Sequence, residues 1–173
     1  EVTSQSTHEL AWSSNAENNA NQLVYSLEGG NNYGVAMANI DDDDNLEILV
    51  GSGSGRVYAF DGKTYEADWV SPVLDKIPMG IAVDDLNNDG NNEIVITTGI
   101  PSEPEGEDGL GGEGFLYVFE RSGNDMVQAF KSDDIDASMG VIISELDGST
   151  YPEIGIATGY LEIVDATSGA TNL

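Results

Sequence analysis

Short runs of alternating apolar and polar residues recur along this chain, each stopped by glycine or by a cluster of acids and amides. "GVAMANIDDDDNLEILVGSG" begins at Gly34, "GIAVDDLNNDGNNEIVITTG" at Gly80 and "GVIISELDGSTYPEIGIATG" at Gly140. Each holds a period-two strand, an acid- or amide-rich loop, and a Glu-Ile pair that opens a second apolar strand. The register runs without a gap from the glycine to Glu47-Ile48, Glu93-Ile94 and Glu153-Ile154. A third strand follows in "GRVYAFD" from Gly55, "GFLYVFE" from Gly114 and "GYLEIVD" from Gly159. A fourth carries an aromatic residue: Trp69 in "YEADWVS", Phe130 in "MVQAFKS" and, near the start of the chain, Trp12 in "HELAWSS". Turn residues between successive runs predict antiparallel neighbours.

With the strands labelled a to d, the chain reads d, abcd, abcd, abc. The expected units are residues 1–33, an orphan outer strand d plus an insertion; 34–79, the first repeat; 80–139, the second; and 140–173, a third lacking its own strand d. Two segments break the pattern. Ile100 to Gly114 lengthens the second b–c connection into an acidic loop, and Asn15 to Tyr25 precedes the first repeat, with an extra strand conceivable at "QLVYSLE". Four strands in repeats of about fifty residues predict an all-β fold of β-propeller blades, each of four antiparallel strands. The chain holds about three blades' worth, a partial or strand-shared propeller. A β-sandwich with coincident periodicity is the alternative, and matched turn glycines in three successive units argue against it.

The a–b loop of the second repeat has the chemistry of a metal site. In "DLNNDGNNE" the odd positions are Asp85, Asn87, Asp89, Asn91 and Glu93. Alternation turns their oxygens to one side, Asn91 offering its backbone carbonyl, and Gly90 allows a sharp turn. Three carboxylates and an amide suit a hard cation such as Ca²⁺. An EF-hand would need flanking helices and a glutamate at position twelve, where this chain has Ile96 inside a strand.

This arrangement resembles the FG-GAP or VCBS-type repeats of integrin α-subunit propellers and of many microbial surface proteins. In that family a hairpin of the form Asp-x-Asp-x-Asp-Gly-x-x-Asp binds calcium between strands a and b. The resemblance spans Trp12 to about Gly169 and carries the ligand set to all three loops. In the first loop the matching positions are Asn39, Asp41, Asp43, Asn45 and Glu47, with Asp44 where glycine is usual. In the third they are Glu145, Asp147, Ser149, Tyr151 and Glu153. There glycine is displaced to position four and serine replaces the central acid, so this loop departs furthest from the motif. All three loops end in glutamate rather than aspartate, which either reaches the metal differently or caps the turn. Asp42, Asp44 and Asp84 are read as unliganded charges that raise the local cation concentration.

Charge narrows the function. With 5 basic and 32 acidic side chains the net charge is −27, a surface that repels phosphate backbones and anionic lipid. Neither nucleic acid nor membrane insertion is expected, and no apolar run approaches the length of a membrane helix. High-salt solvation, extracellular solubility and cation affinity would each account for the acidity. The absence of cysteine excludes disulfides and thiolate chemistry. The chain opens at Glu1 without a signal-peptide pattern and is expected to be a mature or excised form, extracellular or at the cell surface.

Catalytic constellations are not evident. His8, the single histidine, lies in a polar stretch, and "GSGSG" from Gly51 reads as a b–c turn because neither a lysine nor a helix start follows. Abundant acids leave a glycosidase-like pair open. The aromatics at Trp12, Trp69 and Phe130 read as packing between blades. The expected function is therefore non-enzymatic: a calcium-stabilised extracellular propeller-repeat protein for adhesion, surface assembly or ligand presentation. Alternatives are the subunit of a strand-exchanged extracellular filament, and the non-catalytic propeller portion of a secreted polysaccharide-active enzyme. The expected partners are further copies of the chain, joined through edge strands as a homo-oligomer or filament, and a protein or glycan ligand.

Overall fold

β-Branched and aromatic residues at alternate positions give strands with two faces to bury, and the computed structural model of the chain is all-β. It describes residues 32–41, 43–99, 112–138, 140–158 and 161–165. The strand expected around Trp12, the extra strand at 22–28 and most of the acidic loop, 100–111, lie outside these residues.

The first sheet is β1 (Asn32–Ala38), β2 (Glu47–Ser52), β3 (Arg56–Asp61) and β4 (Ala67–Val70), antiparallel and in chain order. The next strands are β5 (Ile77–Asp84) and β6 (Glu93–Gly99), then a short β7 (Glu113–Gly114). β8 (Leu116–Ser122) and β9 (Asp125–Lys131) complete a second four-stranded sheet, β5-β6-β8-β9. β10 (Ile135–Asp136) pairs with β7 beside it. A third sheet holds β11 (Gly140–Ser144), β12 (Glu153–Ala157) and β13 (Leu161–Asp165). Among the described residues these sheets close into neither a barrel nor a ring, and no helix is long and apolar enough to cross a membrane.

Side-chain parity explains how the sheets stack. Ile94, Ile96, Tyr117 and Phe119 of the second sheet join Leu49, Val57, Ala59 and Trp69 of the first in one core. Their sequence neighbours Val95, Leu116 and Val118 point the other way, into a second core with Ile154, Ile156 and Val164 of the third. A strand covered on both faces needs apolar residues without alternation, and every residue of β6 is buried. Trp69 meets Phe119 edge-on at 5.2 Å in the first core, while Phe130 packs against the second. Both aromatics of the fourth strands therefore sit between sheets.

The link between the first two sheets is polar. Tyr117 donates its hydroxyl to Asp75 Oδ2 at 2.5 Å, and Lys131 Nζ reaches the same oxygen at 2.7 Å while lying 4.1 Å from the Phe115 ring centre. These bonds, that from Lys131 first, hold the Asp75 carboxyl below its usual range.

Two irregularities position side chains. The "GSGSG" segment is the β2–β3 turn, closed by a bond from Gly55 N–H to Ser52 O at 3.0 Å. In the β3–β4 pairing, Ala59 faces Trp69 and Phe60 faces Ala67, so Asp68 is the extra residue of a β-bulge. The same bulge recurs in β9, where Val118 faces Phe130 and Phe119 faces Gln128, leaving Ala129 as the extra residue.

Phe119 is fully buried against Trp69, so Phe119→Ala is expected to lower the unfolding free energy by about 3–5 kcal/mol. Urea denaturation measures this. A loss below about 1 kcal/mol would contradict the packing of the first sheet on the second.

Candidate metal centre

Three a–b loops, 39–47, 85–93 and 145–153, share one folding device. A side-chain oxygen at one odd position accepts the backbone N–H two residues on, which curls the chain into successive Asx-type turns. In the first loop Asn39 Oδ1 accepts from Asp41 (3.1 Å), Asp41 Oδ1 from Asp43 (2.7 Å) and Asp43 Oδ1 from Asn45 (2.5 Å). In the second, Asn87 Oδ1 accepts from Asp89 (2.9 Å) and Asp89 Oδ1 from Asn91 (2.8 Å), while Asp85 spans the turn to Asp89 and Gly90. In the third, Glu145 accepts from Asp147 (2.9 Å), Asp147 from Ser149 (2.8 Å) and Ser149 Oγ from Tyr151 (3.3 Å).

Position four explains the displaced glycine of the third loop. Gly148 there has φ +82°, and Asn88, at the same position of the second loop, has φ +60°. A left-handed residue is needed at this point, and asparagine and glycine both supply it. Asp44 does not adopt positive φ, so its place in the motif carries no backbone strain.

The closing glutamates act alike. Glu47, Glu93 and Glu153 each accept through Oε2 the N–H seven residues earlier, from Ile40 (2.7 Å), Leu86 (2.8 Å) and Leu146 (2.7 Å). This bond ties the start of each loop to its end and buries the carboxylate beneath it. The second oxygen distinguishes the three. Glu93 Oε1 receives the Asn87 amide at 3.3 Å, and Glu153 Oε1 the Ser149 hydroxyl at 3.5 Å. Glu47 is 0% exposed, and its Oε1 is buried without a hydrogen-bond partner.

Acids gather around the Glu47 carboxylate. Asp41, Glu47 and Asp68 form one group, and Asp43, Glu47 and Asp61 another, with one carboxylate oxygen of each residue within 4.8 Å of the others. Glu145, Asp147 and Glu153 form a third such group in the last loop. These acidic clusters could hold a metal ion. In the second loop Asp85, Asp89 and Glu93 do not converge this closely, and the asparagine amides satisfy much of their hydrogen-bonding capacity. Asn45, like Asn91, turns its side-chain amide to the preceding aspartate of its own loop. Tyr151 is placed by its backbone, its N–H and carbonyl both bonded to Ser149.

Electrostatics follow the geometry. Burial first, and then the charges of Asp41, Asp68 and Asp43, push the Glu47 carboxyl up. Burial likewise raises Asp68, with Asp61, Asp41 and Asp43 adding to it. Glu93 is pushed up to about 7, again by burial and then by Asp89 and Asp85. Asp89 is held below its usual range by the Asn91 amides, and Asp61 by its bonds to Thr64. A divalent cation would reverse the penalty on the raised groups, because hard cations take carboxylate oxygens as ligands.

Asp61 and Asp68 are the acids that reading the loops alone misses. Asp61 pairs with Glu47 across β2 and β3, as Asp165 does with Glu153 across β12 and β13. The signal was an acid closing the third strand of every repeat: Asp61, Glu120 and Asp165. Asp68 stands one residue before Trp69, in a strand whose pattern draws the eye to its aromatic.

The middle loop also holds its neighbours. Asn92 Nδ2 donates to Asn39 O at 2.7 Å and Asn88 Nδ2 to Thr150 O at 2.7 Å, so the three loops lie along one rim. A cleft of about 260 Å³ separates the first two, lined by Asn39, Asp41, Asp43, Asn91, Asn92 and Arg121 among others. No family model matches the chain, and no curated protein matches it.

For Glu93, a folded-state pKa of about 7 against an ordinary 4.5 means stability that is full below 4.5 and lost as pH rises through 7. The metal-free protein is therefore expected to melt at a lower temperature at pH about 8 than at pH about 5.5. Glu93→Gln should flatten that difference, as thermal denaturation in chelator would register. An equally steep pH dependence in the variant would contradict the assignment.

Proposed function

We propose that this chain is a calcium-stabilised β-propeller-repeat protein of the FG-GAP or VCBS type. It works outside the cell or at its surface in adhesion, surface assembly or ligand presentation, without catalysing a reaction. The observation that carries the cation is Glu47: a fully buried carboxylate, one oxygen of which lacks a partner, grouped with four aspartates. Leaving a buried charge uncompensated is costly, and a hard divalent cation compensates it with the ligands present. Asn39, Asp41, Asp43 and Glu47 would hold it in the first loop. Glu145, Asp147 and Glu153 offer carboxylates for the third, and Asp85, Asn87, Asp89 and Glu93 need only release their amide bonds to form the second.

The propeller reading draws support from the stacked antiparallel sheets and the repeated strand order. The extracellular reading draws on the charge of −27 and on the likeness of the loops to repeats of surface proteins. Bound calcium would neutralise loops that otherwise repel one another along the rim, so the metal is structural and acts by closing hairpins.

Exposed apolar groups favour assembly. Val35 and Met37 on β1 and Ile142 on β11 are each more than 60% exposed, while their neighbours Ala36, Val141 and Ile143 pack into the two cores. The first and third sheets thus turn apolar groups away from the second, and another sheet or a second copy of the chain would cover them. Sedimentation of the wild type against Val35→Lys/Met37→Lys should show association in the former only. Equal monomeric behaviour would remove the support for assembly.

Calcium at millimolar excess is expected to raise the melting temperature by several degrees, corresponding to roughly 2–3 kcal/mol at about 100-fold saturation. Chelator should return it, and Asp41→Ala, in the loop that holds the unpartnered Glu47 oxygen, should diminish the calcium effect more than Asp89→Ala. A melting curve indifferent to calcium and chelator would contradict the proposed function.

A further inference from the structure

The first sheet differs from the second at one acid that lies outside the loop motif. Asp68 is the extra residue of the β4 bulge, and a bulge re-aims the side chain it carries. Its carboxylate falls in the group with Asp41 and Glu47, and among the described residues burial and neighbouring acids act on it, with no hydrogen bond to offset them. Asp61, which also approaches Glu47, is occupied differently. Its Oδ1 accepts N–H groups from Lys63, at 3.1 Å, and Thr64, and so caps the β3–β4 turn. The corresponding bulge in the second sheet carries Ala129, which has no ligand atom. A second, independent feature points to a ligand at Asp68. Glu47 Oε1, wholly buried, has no donor to meet it while its other oxygen is engaged with Ile40 N–H.

We propose that Asp68 is a cation ligand, so that the first sheet has a divalent-cation centre built from two separate elements: Asp41 and Glu47 of the β1–β2 hairpin and Asp68 of the outer strand β4. The inference rests on reading the first loop as a cation site and adds what that loop motif does not contain. A cation here ties the edge strand β4 to the β1–β2 hairpin, across β3. With Asp43 of the same loop, Asp68 brings the carboxylates of this centre to four against the three of the second loop, Asp85, Asp89 and Glu93, and so gives it the higher affinity, because carboxylate count sets affinity for calcium and Ala129 offers nothing in its place.

The probe is Ca²⁺ alone, titrated into the metal-free chain and followed by the amide resonances of Ile40 and Leu86. These are the two N–H groups capped by Glu47 and Glu93, so they report the first and second loops separately. In the wild type the Ile40 signal should saturate at lower calcium than the Leu86 signal. Asp68→Asn, of the same shape without the charge, should weaken the first transition roughly 10-fold or more and leave the second within about 2-fold.

The melting temperature supplies a sign that a merely structural role would not give. Removing one of five clustered acids should hold or raise the melting temperature in chelator and lower it in calcium. If Asp68→Asn leaves the Ile40 transition in place while Glu47→Gln weakens it, Asp68 is not a ligand and the loop reading stands. If Ile40 does not respond to calcium in the wild type, both readings fail. A lower melting temperature in chelator as well as in calcium, with unchanged calcium affinity, would make Asp68 a structural residue and overturn the proposal.

Discussion

One hydrogen bond organises each hairpin: a glutamate oxygen accepting the backbone N–H seven residues before it. The bond satisfies a buried donor and closes the loop, but it also draws an ionisable carboxylate under the loop's own acids. What the second oxygen meets then decides the character of each loop. An amide from Asn87 and a hydroxyl from Ser149 supply a donor in the second and third loops. In the first, Asp41 stands where the second loop has Asn87, and the corresponding Glu47 oxygen is left without one. Exchanging an amide for an acid at a single position thus moves a loop from self-sufficiency toward a requirement for external positive charge.

The sheets transmit what happens at the rim. The second sheet is packed on both faces, with alternate residues of β6 and β8 feeding one core or the other. Its a–b loop is bonded through Asn92 to the first loop and through Asn88 to the third. Ordering one loop therefore restrains the next, and a net charge of −27 with 5 basic residues leaves few internal counter-charges to do the same. Among the described residues, the ion pairs of Lys76 with Glu113 and of Lys131 with Asp75 serve strand connections away from the loops.

Much of this was legible in the residues because the controlling patterns are local. Period-two alternation and turn glycines mark the strands, and the all-β architecture of antiparallel sheets follows from them. β5 nevertheless begins at Ile77, three residues before the glycine that opens the sequence repeat, since Ile77 and Pro78 pair with the far end of β6 ahead of a bulge at Met79, in a way no local pattern signals. The odd-numbered loop positions stood out as oxygen-bearing side chains, and the structure gives alternation a local role: in each loop most of these oxygens accept the N–H two residues on and so build the next turn. The relative standing of the loops was not legible. The Asp-x-Asn-x-Asp-Gly series of the second loop is the better match to a motif, but its asparagines donate to its acids, a matter of side-chain orientation. Asp68 was hidden for another reason. Its role depends on a bulge in a strand more than twenty residues beyond the loop, and a bulge shifts register without changing composition.

A view of function follows from where the charge is placed. On the proposed reading, acids concentrated in hairpin loops at one rim make folding depend on divalent cations, which carboxylate-rich loops take as ligands. The most direct measurement is an X-ray structure of crystals grown with calcium. A calcium peak is expected about 2.3–2.6 Å from Glu47 Oε1, with Asp41 and Asp68 among its ligands. Density showing that oxygen bonded to water or to a protein donor, with no cation near it at saturating calcium, would contradict a metal-dependent first hairpin.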